Sequence, residues 1–300
     1  MIIAVTGSSG LVGSALVSSL QADGHRVIPL VRREPRPGED ALRWHPSSGA
    51  ITPAGPAIAD ALVHLAGESI AGVRWTAGKK RRIRESRTSA TRLLTQTLTR
   101  LAKPPAVLVC ASGIGYYGSR GDEVLNEESR PGTGFLADVG REWEAATATA
   151  IAGGLRVVNL RLGIVLSAAG GALAKMLTPF RLGLGGVIGD GAQWMSWIAL
   201  DDVIGAIRHV LATDALRGPV NAVAPTPVTN AEFTRTLGRV LGRPTLVPLP
   251  AFAARLALGE MADELLLSSQ RVVSARLQAS GYTFRHSTLE GALRSALGRI

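Results

Sequence analysis

Thr6-Gly7-Ser8-Ser9-Gly10-Leu11-Val12-Gly13 is the stretch that most limits what this chain can fold into. An apolar run, Ile2 to Val5, leads into it, and residues of helical character, Ser14 to Leu20, lead out. A glycine turn between a strand and a helix is the context in which such a motif binds a nucleotide. Gly7 permits a tight turn off the strand, Gly10 lets backbone approach a pyrophosphate, and Gly13 lets the helix close onto the strand. The phosphates then sit at the helix N-terminus, where unpaired N–H groups and the dipole favour an anion. The spacing is G-x-x-G-x-x-G, which an ordinary glycine-rich turn also permits; the flanking elements favour the nucleotide reading.

Strand and helix alternate beyond the turn. Gly24 stops the first helix, and His25 to Val31 is a second strand. Residues 35–59 are rich in Pro, Gly and Ser, with short strands expected at Ala41 to Trp44 and Ala50 to Thr52. Asp60 to Leu65 is a third buried strand, Trp75 to Leu101 a long helix ended by Pro104-Pro105, and Ala106 to Ala111 another strand. A helix over Phe135 to Ala152 and a strand over Leu155 to Val165 complete the series. This order predicts an α/β fold, a Rossmann-type doubly wound parallel sheet, with a smaller, mostly helical C-terminal substrate lobe. We place the dinucleotide-binding domain at residues 1–165. The substrate-side lobe is 166–300, with some segments returning to the core sheet. Helices are expected over Ala172 to Leu182, from Asp201 to about Leu211, and from Asn230 to about Leu241.

In such a fold the residue about 20 positions past the glycines meets the adenosine ribose, where an acid selects NAD and an arginine NADP. Arg32 and Arg33 close the second strand ahead of Glu34, which favours NADP; the alternative makes Glu34 the ribose ligand. The chain carries a net charge of +10. Its one dense basic run, Lys79-Lys80-Arg81-Arg82-Ile83-Arg84, has no aromatic platform and no nucleic-acid motif, so it reads as a solvated helix face. A single cysteine, Cys110, lies in a buried strand, and no Cys/His cluster has metal-ligand spacing. With a strand at residue 2 and no apolar run of membrane-spanning length, the expectation is a cytoplasmic protein without a nucleic-acid or membrane partner. It is expected to be a monomer or homodimer acting on an unidentified small molecule.

TGSSGLVG, the LAGE end of the third long strand, LRLGIVL at 160–166 and WIALDDV at 197–203 together resemble the extended short-chain dehydrogenase/reductases. RRIRESR at 81–87, SGIGYYG at 112–118, GTGFLADVGREWEAA at 132–146 and the tail LGEMADELLLSSQRVVSARLQASGY resemble the NADP-binding epimerase-like branch of that superfamily. The resemblance implies an NADP(H) site from Gly7, Ser8, Ser9, Gly10, Leu11, Val12, Gly13, Arg32, Arg33, Leu65, Ala66, Gly67, Glu68, Arg87, Arg161 and Leu162. The superfamily's chemistry uses a Ser or Thr with a Tyr-x-x-x-Lys pair. Here none of Tyr116, Tyr117 and Tyr282 has Lys at the fourth place, and the helix expected to carry the pair has Phe135, Leu136, Val139 and Gly140. The proton donor is therefore sought among Ser112, Tyr116 and Tyr117, with substrate near Gln193 and Trp197. Two function classes stay open: an NADP-dependent oxidoreductase or epimerase, and a non-catalytic NADP(H)-binding sensor or scaffold.

Overall fold

The computed structural model describes residues 1–53, 55, 58–72 and 74–299. Its centre is an eight-stranded sheet of β1 (Ile2–Thr6), β2 (Arg26–Val31), β3 (Leu42–Trp44), β4 (Ile51–Thr52), β5 (Ala61–His64), β6 (Val107–Gly113), β7 (Arg156–Leu162) and β8 (Gly218–Ala222). The order is β8-β7-β6-β5-β1-β2-β3-β4. All neighbours are parallel except β4, which turns back antiparallel on β3. Strand order reverses at β1, with β2 on one side and β5 on the other, and such a switch point opens a crevice at the strands' C-terminal ends. There Thr6 lies level with Leu30 and His64.

The helices are α1 (Leu11–Ala22), α2 (Ala77–Glu85), α3 (Thr88–Thr99), α4 (Phe135–Ala145), α5 (Ala148–Ala152), α6 (Gly171–Arg181), α7 (Leu200–Ala212), α8 (Asn230–Leu241), α9 (Ala251–Leu258), α10 (Glu260–Leu265), α11 (Ala275–Ala279) and α12 (Leu289–Ala296). Strands covered on both faces are apolar at every position, which is why these runs read as continuous. Ile3 and Val5 face α1 and α7 in a core with Leu16, Ile207 and Val210. Ala4, Leu62 and Leu108 face the other way, onto Leu94 and Leu98 of α3 and Trp143 of α4.

Both α7 and β8, from the 166–300 segment, belong to this sheet and its cover. The rest of the segment forms a second core, in which Leu173 and Phe180 of α6 pack on Phe233 and Leu237 of α8 and Leu293 of α12. α10 joins the two parts. Met261 packs with Trp75, Ile83 and Phe135, and Glu264 accepts hydrogen bonds from the N–H groups of Phe135 and Leu136 at the start of α4.

Three expected elements are divided. The helix over Trp75 to Leu101 breaks between α2 and α3. There the hydroxyls of Ser86 and Thr88 bond the carbonyls of Ile83 and Arg84, competing with the backbone ladder. The helix over Phe135 to Ala152 breaks at Ala146-Thr147. The strand over Leu155 to Val165 is cut at Gly163, whose N–H goes to Ala222, and Ile164–Leu166 pairs instead with the short strand Trp197–Ala199. Among the described residues no helix is long and apolar enough to cross a membrane.

Candidate cofactor crevice and active site

The turn after β1 is built to a tight tolerance. Gly7 has φ +68°, and a Cβ there would lie 2.9 Å from the carbonyl carbon of Leu65 and the nitrogen of Ala66. A Cβ on Gly13 would lie 2.1 Å from the Gly7 carbonyl oxygen, so α1 rests directly on the turn. Gly10 differs: it is exposed, and a Cβ there would meet only the Gly7 oxygen, at 3.2 Å. Gly10 is the N-cap of α1, no side chain caps the helix, and its first turn holds no acid. The helix therefore presents uncapped N–H groups and a positive dipole end above the switch point.

Thr6 ties this turn to β5. Its Oγ1 accepts the N–H groups of Leu65 and Ala66 and donates to His64 Nδ1 at 2.7 Å. His64 Nε2 then donates to Thr91 Oγ1, which also accepts the Trp143 indole. Burial pushes the His64 pKa down to about 4. A neutral, fully bonded histidine supports the crevice from below and does not enter it.

Arg33 is clamped by Glu39, with contacts of 2.8 and 2.6 Å, and those bonds hold the Glu39 carboxyl at about 2. Glu34 pairs with Arg43. Arg32 is exposed and, among the described residues, has no ion pair. On the other side of β1, Glu68 bonds Lys79 Nζ at 2.7 Å, which keeps its carboxyl below the usual range. Arg87 sits at the break between α2 and α3 with its guanidinium over the Trp143 ring, 5.0 Å from its centroid. Its Nη1 donates to the Glu68 and Ile83 carbonyls, and a Cβ on Gly67 would lie 3.3 Å from Cζ and Nη2. Burial lowers its pKa to about 10, so it stays charged at neutral pH, and no described carboxylate pairs with it.

At the ends of β6 and β7 a buried network forms. Arg161 makes a two-point ion pair with Glu144, with contacts of 2.7 and 2.8 Å, and Glu144 Oε1 also accepts from the Ser112 hydroxyl at 2.8 Å. Arg161 Nη1 donates to the Tyr117 hydroxyl, which lies within bonding distance of the Asn126 carbonyl and Asn221 Oδ1. Burial pushes the Tyr117 phenol up to about 12. Tyr116 is half-buried, its ring stacked 3.6 Å from Arg161 Cζ.

Residues 3–222 match the family described as the NAD dependent epimerase/dehydratase family. The chain belongs to this family. Residues 249–296 match a second family, described only as a domain of unknown function. An epimerase family protein of Mycobacterium bovis is 45% identical over 298 residues, covering 99% of this chain and 98% of its own. The human epimerase family protein SDR39U1 is 37% identical over 297 residues, covering 98% and 99%. A crystal structure of that human protein (isoform2), solved with NADPH, superimposes with a TM-score of 0.91 at 34% identity over the full length of both chains. A nucleoside-diphosphate sugar epimerase from Corynebacterium glutamicum gives 0.81 at 40% identity, covering 99% of this chain and 58% of that one.

For a chain of the epimerase/dehydratase family, the geometry divides the residues nominated from sequence. The turn at Gly7 packs on Leu65 and Ala66, Gly67 lies against Arg87, and Arg32 follows the end of the neighbouring β2. Glu68 is different, because its carboxylate is held by Lys79 and only its carbonyl faces Arg87. Arg33 is likewise held by Glu39. Arg161 is buried at 2% exposure and held by Glu144, and Leu162 closes β7 opposite Gly113. Of the residues nominated as proton donor, Ser112 is bound to Glu144 and Tyr117 is fully buried, while Tyr116 is half-buried. Trp197, nominated near the substrate, is fully buried in the second core, with its indole on the Thr226 carbonyl. Gln193 is buried too, and its amide ties the Ile188 and Leu266 carbonyls together.

At Gly140, one of the helix positions considered for the absent pair, the packing is close. A Cβ on Gly140 would lie 3.1 Å from Tyr116 Cα, and one on Gly115 would lie 3.1 Å from Leu136 Cβ. α4 thus rests on the 114–117 turn, and Tyr116 backbone occupies the space a side chain at 140 needs. Sequence reasoning missed Thr6, Glu144 and Glu264. The one available signal was a polar side chain at the end of an apolar strand (Thr6) or within a buried helix face (Glu144).

Proposed function

We propose that this chain binds NADP(H) across the β1/β5 switch point and acts as an oxidoreductase or epimerase-like enzyme on a small carbonyl or sugar-nucleotide-like substrate. The observation that carries the cofactor is the contrast at the end of β2. Arg33 and Glu34 are both engaged by neighbours, and Arg32 is left to meet a 2′-phosphate. The uncapped α1 N-terminus and the open side of Gly10 fit the pyrophosphate, and Arg87 adds a second cation beside Gly67. When bound, the nicotinamide supplies or accepts a hydride. The chain's part is to hold the proton: with Ser112 and Tyr117 engaged, Tyr116 is the remaining nominated donor. The basic run supports a partner other than nucleic acid. Lys79 and Arg82 face Glu68, Lys80 faces Glu260 and Arg84 faces Glu142, which leaves Arg81. A cytoplasmic setting fits this reading.

The buried lock on Ser112 and Tyr117 favours a second reading, an NADP(H)-binding sensor or scaffold without turnover. One experiment separates the two. NADPH is titrated by fluorescence, and a panel of carbonyl compounds and nucleotide sugars is followed by NADPH absorbance, with wild type, Tyr116→Phe, Tyr117→Phe and Ser112→Ala. The enzyme reading expects turnover that Tyr116→Phe lowers by about 10²–10⁴-fold with NADPH affinity unchanged. Turnover that survives Tyr116→Phe refutes the donor. Silence throughout the panel with tight NADPH binding establishes the second reading.

A further inference from the structure

The carboxylate that caps α4 belongs to the other end of the chain. Gly134, the N-cap of α4, has φ +109° and offers the helix no side chain. Glu264, 129 residues beyond Phe135, takes that place: Oε1 accepts the Phe135 N–H at 2.9 Å and Oε2 the Leu136 N–H at 3.1 Å. A Cβ on Gly134 would collide with Oε1, so the glycine leaves room for a carboxylate from outside. A negative charge at a helix N-terminus also complements the dipole. Beyond α10 the same segment closes on the loop that follows β6. Ser269 donates its N–H to Ser119 Oγ and its hydroxyl to the Gly121 carbonyl, and its own carbonyl accepts the Arg120 N–H. Arg271–Val272 then pairs in parallel with Val124–Leu125.

Both holds bear on Tyr116. α4 lies against its backbone at Gly140. α4 also carries Glu144, which grips Arg161, and the Arg161 guanidinium stands 3.6 Å from the centre of the Tyr116 ring. We infer that Glu264 is a positioning residue for Tyr116: by fixing the first turn of α4 it sets where Gly140 and Glu144 stand, and through them the pose of the phenol ring. The 249–296 segment thereby gains a part in the site, as its outer brace. This rests on the proposed reading of Tyr116 as proton donor. A donor must come within hydrogen-bond distance of the reacting atom, and a misplacement of about 1 Å costs up to about 10²-fold in rate.

The chain has only three tyrosines, which makes the test direct. The full chain is labelled with 3-fluorotyrosine, and the fluorine NMR signal of Tyr116 is assigned with Tyr116→Phe. Glu264→Gln keeps the side chain's shape but leaves one acceptor oxygen for two N–H groups. It should shift or broaden the Tyr116 signal and leave that of Tyr282 in place. Asp202→Ala, which removes a partner of the Tyr282 hydroxyl, is the control for general loss of stability: it should move the Tyr282 signal and leave that of Tyr116. On any substrate that the panel of carbonyl compounds and nucleotide sugars yields, Glu264→Gln should lower kcat about 10–10²-fold with NADPH affinity unchanged. A Tyr116 signal unmoved by both Glu264→Gln and Glu264→Ala overturns the inference whatever the panel shows. Equal movement of that signal in Glu264→Gln and Asp202→Ala overturns it too, and so does an unchanged kcat beside a moved signal. Lost NADPH affinity in folded Glu264→Gln places the effect at the cofactor and counts against it in the same way. A signal that moves while the panel stays silent upholds the hold of Glu264 on the ring and fails the donor reading alone.

Discussion

Arg32 and Arg33 are neighbours in the chain with opposite circumstances. Arg33→Ala removes a pair with Glu39 and should leave nucleotide choice nearly unchanged. Arg32→Ala should remove most of the preference for NADPH over NADH, a loss of about 1.5–3 kcal/mol for a charge-assisted contact. Parallel titrations of both variants with both nucleotides decide it, and an equal effect of the two substitutions goes against the assignment. His64 gives a pH dependence. In the unfolded chain it titrates near the ordinary histidine value of 6.5, and in the fold only near 4. The unfolded state therefore binds the extra proton between these values, so stability falls as pH drops through that window, by up to about 1.4 kcal/mol per unit. Urea unfolding at about pH 7 and about pH 5 should show that loss in wild type. His64→Gln should start less stable, having broken the Thr6–Thr91 link, but lose less on acidification. Equal acid losses in both proteins would assign the effect to other groups.

Two glycines of one turn should fail in different ways. Gly13→Ala drives a Cβ into the Gly7 carbonyl and should cost about 3 kcal/mol or more of stability, the upper end of overpacking. At Gly10 an added Cβ meets only the Gly7 oxygen, at 3.2 Å, and the position is exposed, so Gly10→Val should fold, with a normal circular dichroism spectrum, and lose NADPH. A Gly10→Val protein that folds and binds normally would show that the turn does not cradle the cofactor. At this scale the sequence was informative wherever a strand is buried on both faces or a helix has a marked end, as at β1, β5, β6, α6 and α8. It was silent wherever the decisive partner is remote. The break at Ser86-Arg87 is tied to Glu68, whose N–H donates to the Ser86 hydroxyl and whose carbonyl accepts the Arg87 guanidinium, and it sets Arg87 at the end of β5. The cut at Gly163 depends on Ser196 backbone, whose oxygen would sit 2.6 Å from a Cβ there. Nothing in the sequence next to Tyr117 or Trp197 marks either as buried. Their burial comes from β8 and α8, more than 100 and 30 residues away respectively in sequence.

Polar anchors join distant parts of the molecule, and Asp202 is one that fastens the C-terminal tail. It stands in the first turn of α7 with 1% exposure, and its carboxylate accepts the N–H groups of Arg285 and His286 and lies 3.2 Å from the Tyr282 hydroxyl. The phenol is pushed up by burial and by that carboxylate. The tail held this way carries Tyr282 and Phe284 onto the sheet core and leads into α12, which completes the second core. Asp202→Ala leaves two part-buried N–H groups and a hydroxyl with fewer acceptors. At about 1–3 kcal/mol for each unsatisfied group, partly relieved by water, the expected loss is about 3 kcal/mol. None of these groups lies in the β1/β5 crevice, so NADPH affinity of the folded variant should match wild type. Thermal unfolding with and without NADPH measures both quantities. A large loss of midpoint with an undiminished NADPH-induced rise is the expected pair of results. A variant that keeps its stability, or one that loses the NADPH-induced rise while folded, would show that the tail is fastened elsewhere or that it reaches the cofactor.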